Sequence, residues 1–210
     1  MSGDSSTDRV ALIATVLLAL ATVATAWSGY QASRWNGEAT KATARGNAAR
    51  VESTRASDLA NTFVQVDLAV FTQWVDAYAR DETELRDFYF KRFRPEFKPA
   101  VAAWIATRPL KNPQAPLSPF AMPQYKLQAR EDAAQLEVTA DEWAAKARRD
   151  VQRSTNYVLG VVLFASALFF AGMSTKLPSQ RLRVAMLVFG IVVFLASLAW
   201  IATSPVSLSV

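Results

Sequence analysis

Three runs of this chain carry no charged residue: Val10–Trp27, Tyr157–Met173 and Val184–Ala202, of 18, 17 and 19 residues. A helix needs about 20 predominantly apolar residues, with a range of roughly 17–25, to cross the hydrocarbon of a bilayer. Each run meets that need near its lower limit, and three of them in 210 residues argue against the buried core helices of a soluble domain. The pattern predicts transmembrane helices at 10–27, 157–173 and 184–202. They are joined by a polar segment at 28–156 and a short loop at 174–183, with tails at 1–9 and 203–210.

The polar segment has its own periodicity. From Val10 to Phe93 the chain holds no proline over 84 residues, whereas seven of its nine prolines fall between Pro95 and Pro123. One helix should therefore leave the bilayer, a proline-rich cap should turn the chain, and a second helix should return. On the outgoing arm, steps of three and four residues pass through Ala32, Trp35, Ala39, Ala42, Gly46, Ala49, Ser53, Ala56, Ala60 and Phe63. This is heptad spacing built almost wholly of small residues, which let helix backbones approach closely. It reads either as an amphipathic helix in a bundle or as a coiled coil. Leu59, Phe63, Val66, Val70, Phe71, Trp74 and Tyr78 offer a bulkier outer core. The return arm shows Ala129, Ala133, Leu136, Ala140, Trp143, Ala147, Val151 and Ser154, with an irregular four-residue step from Ala147 to Val151.

The two arms differ in length: at 1.5 Å per residue, 28–93 would reach about 99 Å and 124–156 about 50 Å. A break near Arg55–Asn61 would absorb part of the difference, since Ser57-Asp58 has the character of a helix N-cap. The fold class expected is an all-α membrane protein with three transmembrane helices. A long helical hairpin or a small helical bundle stands between the first and second spans, with its proline-rich tip at 94–123. Pro99 suits the first turn of a short helix through Ala106. Residues 108–123, with five prolines, should form an extended cap. Aromatic residues gather here (Phe88, Tyr89, Phe90, Phe93, Phe97, Trp104, Phe120, Tyr125), either to plug the bundle end or to offer a partner platform.

Composition narrows the chemistry. Histidine and cysteine are both absent, which excludes a Ser-His-Asp triad, a thiol nucleophile, a disulfide and a Cys/His zinc site. The carboxylates Asp81, Glu82, Glu84 and Asp87, and likewise Glu131, Asp132 and Glu137, lack the spacing of a calcium loop and read as solvated faces. No glycine-rich phosphate loop is present, and the spans hold nothing ionisable, the usual mark of ion-coupled transport. No catalytic, cofactor or metal site is therefore expected, and the chain does not read as an enzyme. The net charge of +5 brings no nucleic-acid module with it. Lys146, Arg148, Arg149 and Arg153 crowd ahead of the second span and suit lipid headgroup phosphates.

Ala24-Thr25-Ala26 has the form of a signal-peptidase site, but Arg9 is outweighed by Asp4 and Asp8, so a retained anchor is expected. The short loop carries Lys176, Arg181 and Arg183, and the positive-inside rule is strongest for short loops. By that rule the N-terminus is cytoplasmic and 28–156 extracytoplasmic, although Arg34, Lys41 and Arg45 pull the other way.

The stretches GYQASRWNGE, FRPEFKPAVAAWIATRPLKNPQAPLSPFAMPQY and NYVLGVVLFASALFFAGMSTKL resemble a group of bacterial three-span membrane proteins of unknown function. That resemblance implies the architecture and an inner (cytoplasmic) membrane of bacteria, without an activity. The order of span, helical domain and span is also similar to that of chemoreceptor sensor modules, though no signalling domain follows. Two functions compete. One is a non-catalytic subunit that assembles with itself or with a larger membrane complex. The other is a receptor passing a ligand-induced shift through the first two spans. On the first reading Arg92, Arg94, Trp104 and Arg108 at the tip are contact residues, because aromatics and arginine are enriched at interface hot spots. Gly46 and Ala49 are then close-contact positions facing the return arm or a neighbouring subunit.

Overall fold

A computed structural model describes residues 4–207, with side chains from residue 9 onward. The first residues of the N-terminal tail and the last three of the C-terminal tail lie outside the described residues. The chain is all-helical among the described residues: α1 Asp4–Ala79, α2 Thr83–Arg92, α3 Lys98–Ala106, α4 Gln128–Ser174 and α5 Gln180–Ala202, with one 3-10 turn at Pro119–Ala121. Three of these, α1, α4 and α5, are long and apolar enough to cross a membrane, and the protein is a multi-pass membrane protein.

The expected break near Arg55–Asn61 does not occur, and α1 runs through it. Ser57 and Asp58 are exposed while Ala56 and Ala60 on either side face inward, so the buried seam passes this point in register and nothing calls for a cap. The helix stops instead at Ala79. Asp81 takes a left-handed φ of 59°, the Glu82 amide donates to the Ala77 carbonyl at 3.0 Å, and the Asp81 amide to that of Tyr78 at 3.4 Å. This is a Schellman ending, with aspartate in the position glycine usually takes.

The heptad positions of the outgoing arm do face inward. Ala32, Trp35, Ala39, Ala42, Gly46, Ser53, Ala60, Asp67, Trp74 and Ala77 are buried, and Ala49, Ala56, Phe63 and Val70 are half-buried. Leu59 and Val66, expected in the outer core, are exposed because each sits one residue off this frame. On the return arm the irregular step disappears. Val151 is 50% exposed, and Asp150, which restores the three-residue spacing, is buried in its place. Its carboxylate is held by Lys146 at 2.6 Å and Arg153 at 2.9 Å, both one turn away on the same helix, so the charge is neutralised where it is buried.

The chain divides into two compact units. The first takes the residues up to Arg45 together with those from Trp143 onward; the second is Gly46–Glu142. The first unit thus extends beyond the apolar runs on both arms. Its core is Ala14, Leu17, Ala21, Ala32, Trp35, Tyr157, Phe164, Ala167, Ala171, Leu187, Phe194 and Ile201. Small residues face inward, while Leu12, Val16, Leu20, Phe169, Val188 and Leu195 point outward, the arrangement expected where lipid is the solvent. Thr15, Thr22, Thr25, Ser166 and Ser197 each donate to the carbonyl four residues back, which satisfies their hydroxyls within their own helices.

The tail after α5 is docked in this unit. The Gln31 carboxamide accepts from the Ser207 amide at 2.9 Å and donates to its carbonyl at 3.4 Å. The Trp35 indole and the Tyr157 hydroxyl both donate to the Pro205 carbonyl. Gln31 and Tyr157 are fully buried, so these bonds satisfy polar groups that would otherwise be costly.

At Gly190 a Cβ would stand 3.3 Å from the Ala167 carbonyl oxygen and 3.4 Å from the Ala171 nitrogen, whereas at Gly172 it would meet nothing within 4 Å. Gly190→Leu should therefore overpack α5 against α4, at about 1–3 kcal/mol. Gly172→Leu should leave unfolding in detergent nearly unchanged. Equal melting shifts for the two variants would show that α4 and α5 do not approach this closely.

Candidate functional site

The second unit is closed at one end by a cluster of rings. Phe71 and Trp74 project from α1, Phe93 and Phe97 from the connection after α2, Val101 and Trp104 from α3, and all are buried. Phe71 meets Phe97, Trp104 and Phe120 edge to face at 5.4–6.0 Å, while Phe97 stacks on Phe120 at 4.9 Å. Such pairs add about 0.5–1.5 kcal/mol beyond the area they bury. Pro99 stands in the first turn of α3, as its missing N–H allows.

Beneath the rings lies Asp67, the charge that interrupts the apolar phase of α1. It is 2% exposed. Arg94 Nε reaches its Oδ1 at 3.1 Å, and the Tyr125 hydroxyl donates to Oδ2 at 3.1 Å. Arg94 also pairs with Glu96 at 2.6 Å and lies 3.8 Å over the Phe63 ring. The carboxylate thereby ties α1 to the chain leaving α2 and to the end of the cap. Burial raises the Asp67 carboxyl above its ordinary value even though Arg94 and the Tyr125 hydroxyl act to lower it. Burial, and then the neighbouring carboxylate, push the Tyr125 hydroxyl up as well.

From Thr107 to Ser118 the cap has no regular structure, as its prolines require, but it is internally bonded. Arg108 has a φ of 52°, and its carbonyl accepts from Lys111 and Asn112. Asn112 Oδ1 accepts from the Gln114 amide and Asn112 Nδ2 donates to the Thr107 carbonyl. Trp104 Nε1 donates to the Pro116 carbonyl at 2.7 Å. The next residue, Leu117, is 99% exposed, and Leu110 is 66% exposed.

The six residues singled out from the sequence do not form one surface. Trp104 is 5% exposed: it is a core residue that props the loop, not an outward anchor, because its ring fills the space beside Phe71. Arg94 is occupied with Asp67 and Glu96. Arg92 is exposed, its guanidinium 3.5 Å over Phe88, and Arg108 is exposed beside Leu110, Tyr78 and Lys111 around a groove of about 250 Å³. Gly46 is buried and Ala49 half-buried, near the level of Ala140, since Ser53 Oγ donates to the Ala133 carbonyl and Arg50 pairs with Asp141. Leu110 and Leu117 were missed, although prolines on either side of Leu117 signalled a held loop position. The pairing of Asp67 with Arg94 and Tyr125 was missed too, although a charge in a heptad frame calls for a partner.

A second groove, of about 260 Å³, is lined by Trp74, Tyr78, Arg86, Asp87, Phe90 and Ile105. Trp74 Nε1 is buried without an acceptor among the described residues. Among those residues, no group of three or more carboxylates is placed to hold a metal ion.

Asp67→Ala removes the shared acceptor of Arg94 and Tyr125 and should cost about 3 kcal/mol; Asp67→Asn, which keeps an oxygen there, should cost about 1 kcal/mol. The folded carboxyl titrates above 3.8, its ordinary value. Between those two values the native state holds more proton than the unfolded one, so this group's contribution to stability falls as pH rises through the window. The difference in melting temperature between wild type and Asp67→Asn, followed across the acid range, should show that slope. A flat difference would mean that burial does not dominate at Asp67.

Comparison with protein-family models, with curated proteins and with solved structures gives no match for this chain.

Proposed function

We propose that the protein is a non-catalytic membrane subunit that assembles with a second copy of itself or with another membrane protein, and that its tip loop makes the contact. The observation that carries this reading is Leu117, 99% exposed on a loop held by five prolines and by the Trp104–Pro116 hydrogen bond. An isolated exposed leucine is ordinary on a protein surface. One held on a pre-ordered loop differs, because little conformational freedom remains to be lost when it docks. Leu110, Arg108 and Arg92 lie on the exposed part of the same tip. The charged groups inside the unit are spent on one another, as Asp67 is with Arg94 and Tyr125, so the tip's outward chemistry is the loop leucines together with exposed cations such as Arg92 and Arg108.

A ligand-sensing reading rests on one observation, the Trp74 indole, without an acceptor among the described residues, beside its groove of about 260 Å³. That volume lies below the roughly 300–1,000 Å³ of most small-molecule sites, and assembly is the stronger reading.

In mild detergent the wild type should run as a homo-oligomer or with a copurifying membrane protein, and Leu117→Asp should abolish that association with its melting temperature unchanged. Trp104→Phe, which keeps a ring but loses the bond to Pro116, should weaken association with a smaller effect on helix content. A protein strictly monomeric in detergent and in nanodiscs would sink the assembly reading, and saturable stabilisation by a small molecule would favour the sensor.

The reading also includes an orientation in a bacterial inner membrane, with the N-terminus and the 174–183 loop cytoplasmic. Lys176, Arg181 and Arg183 in that short loop support it. A cysteine replacing the exposed Gln114 should then react with an impermeant thiol reagent in intact spheroplasts. Labelling only after lysis would reverse the assignment.

A further inference from the structure

We infer that the flanks just outside the first and second spans form a basic collar that selects anionic phospholipid headgroups. Residues 28–45 and 143–156 carry seven cations (Arg34, Lys41, Arg45, Lys146, Arg148, Arg149, Arg153) and two carboxylates, Glu38 and Asp150. Their balance of +5 equals that of the entire chain, so every other residue together sums to zero. The 174–183 loop carries +3 and the remaining residues −3, so the two segments hold the larger basic excess, and both belong to the compact unit that contains the spans.

Six of the seven side chains divide into two sets. Lys146 and Arg153 turn inward and share the buried Asp150, with Arg153 also 4.5 Å over Trp35. Lys41 pairs with Glu38, and Arg45 lies 4.8 Å over Trp143. Arg148 and Arg149 are exposed and have no ion pair or hydrogen-bond partner among the described residues. By absorbing its two helix neighbours, Asp150 leaves these two arginines as the exposed charge of residues 143–156.

Their depth fits headgroups. The exposed rings of Trp27 and Tyr30, 6.0 Å apart, and the exposed Trp200 mark an interfacial aromatic level. Arg149 and Arg148 stand eight and nine residues before Tyr157, about 12–14 Å along the helix. The headgroup layer occupies about 5–8 Å beyond the hydrocarbon on each side. The guanidinium groups therefore sit within about one Debye length, roughly 8–10 Å, of its phosphates. Screened attraction of this kind distinguishes anionic from zwitterionic headgroups by net charge.

The test is lipid retention by the full chain, released from nanodiscs of mixed phosphatidylglycerol and phosphatidylcholine and weighed by native mass spectrometry. Wild type should retain phosphatidylglycerol in preference, and Arg148→Gln with Arg149→Gln should reduce that preference by roughly 5- to 30-fold while helix content stays unchanged. Lys126→Gln with Arg130→Gln removes two exposed cations of the other unit that have no ion pair among the described residues, and should leave the preference intact. Equal retention of the two lipids by wild type would overturn the collar, as would equal losses in the two double variants. A melting shift with inorganic phosphate as large as that with phosphatidylglycerol vesicles would also overturn it, by identifying a plain anion site.

Discussion

Close approach of α1 to α4 is the constraint on which the rest of each unit depends. In the second unit Ser53 Oγ donates to the Ala133 carbonyl, and in the first Ser154 Oγ donates to the Ala32 carbonyl, both at 2.9 Å. A side chain as short as serine spans the gap to a neighbouring helix's carbonyl only where the facing residues are small. The alanine, glycine and serine positions at heptad spacing supply that condition. The same closeness limits what area burial alone contributes, since alanine buries little surface, so rings and buried charges must add to it.

Each unit contains one buried aspartate in the heptad frame, and the two are handled differently. Asp150 is neutralised within its own helix by Lys146 and Arg153, so its partners are brought to it by helical spacing alone. Asp67 is met by Arg94 and Tyr125, which are distant in sequence and arrive only when the cap has folded. The first arrangement stabilises a helix face. The second makes closure of the tip depend on α2, α3 and the cap being in place together, as a buried carboxylate left unpartnered costs several kcal/mol.

The functional proposals follow from that division of labour. Much of the polar chemistry inside the molecule is consumed by structure, whether in the tail held by Gln31, Trp35 and Tyr157 or in the cap tied to Asp67. Outward chemistry includes the leucines and arginines exposed at the tip and, near the membrane, Arg148 and Arg149, which have no ion pair or hydrogen-bond partner among the described residues. Contact surfaces for another protein and for lipid fit this distribution better than a reaction centre does.

The sequence alone determined the three spans, the heptad frame of both arms and the irregular cap, because each depends on local periodicity or on proline. Tertiary structure decided what periodicity cannot reach. Helix α1 passes Ser57-Asp58 because its buried face is continuous there, and stops at Asp81 because that residue adopts a left-handed φ. Asp150, not Val151, takes the inward position because partners on the same helix neutralise it, which an apolarity count misses. Trp104 is core and Leu117 is surface for the same reason. Whether an apolar residue at the tip is buried depends on what packs beside it, and the Phe71 ring that meets Trp104 edge to face comes from α1, 33 residues away along the chain.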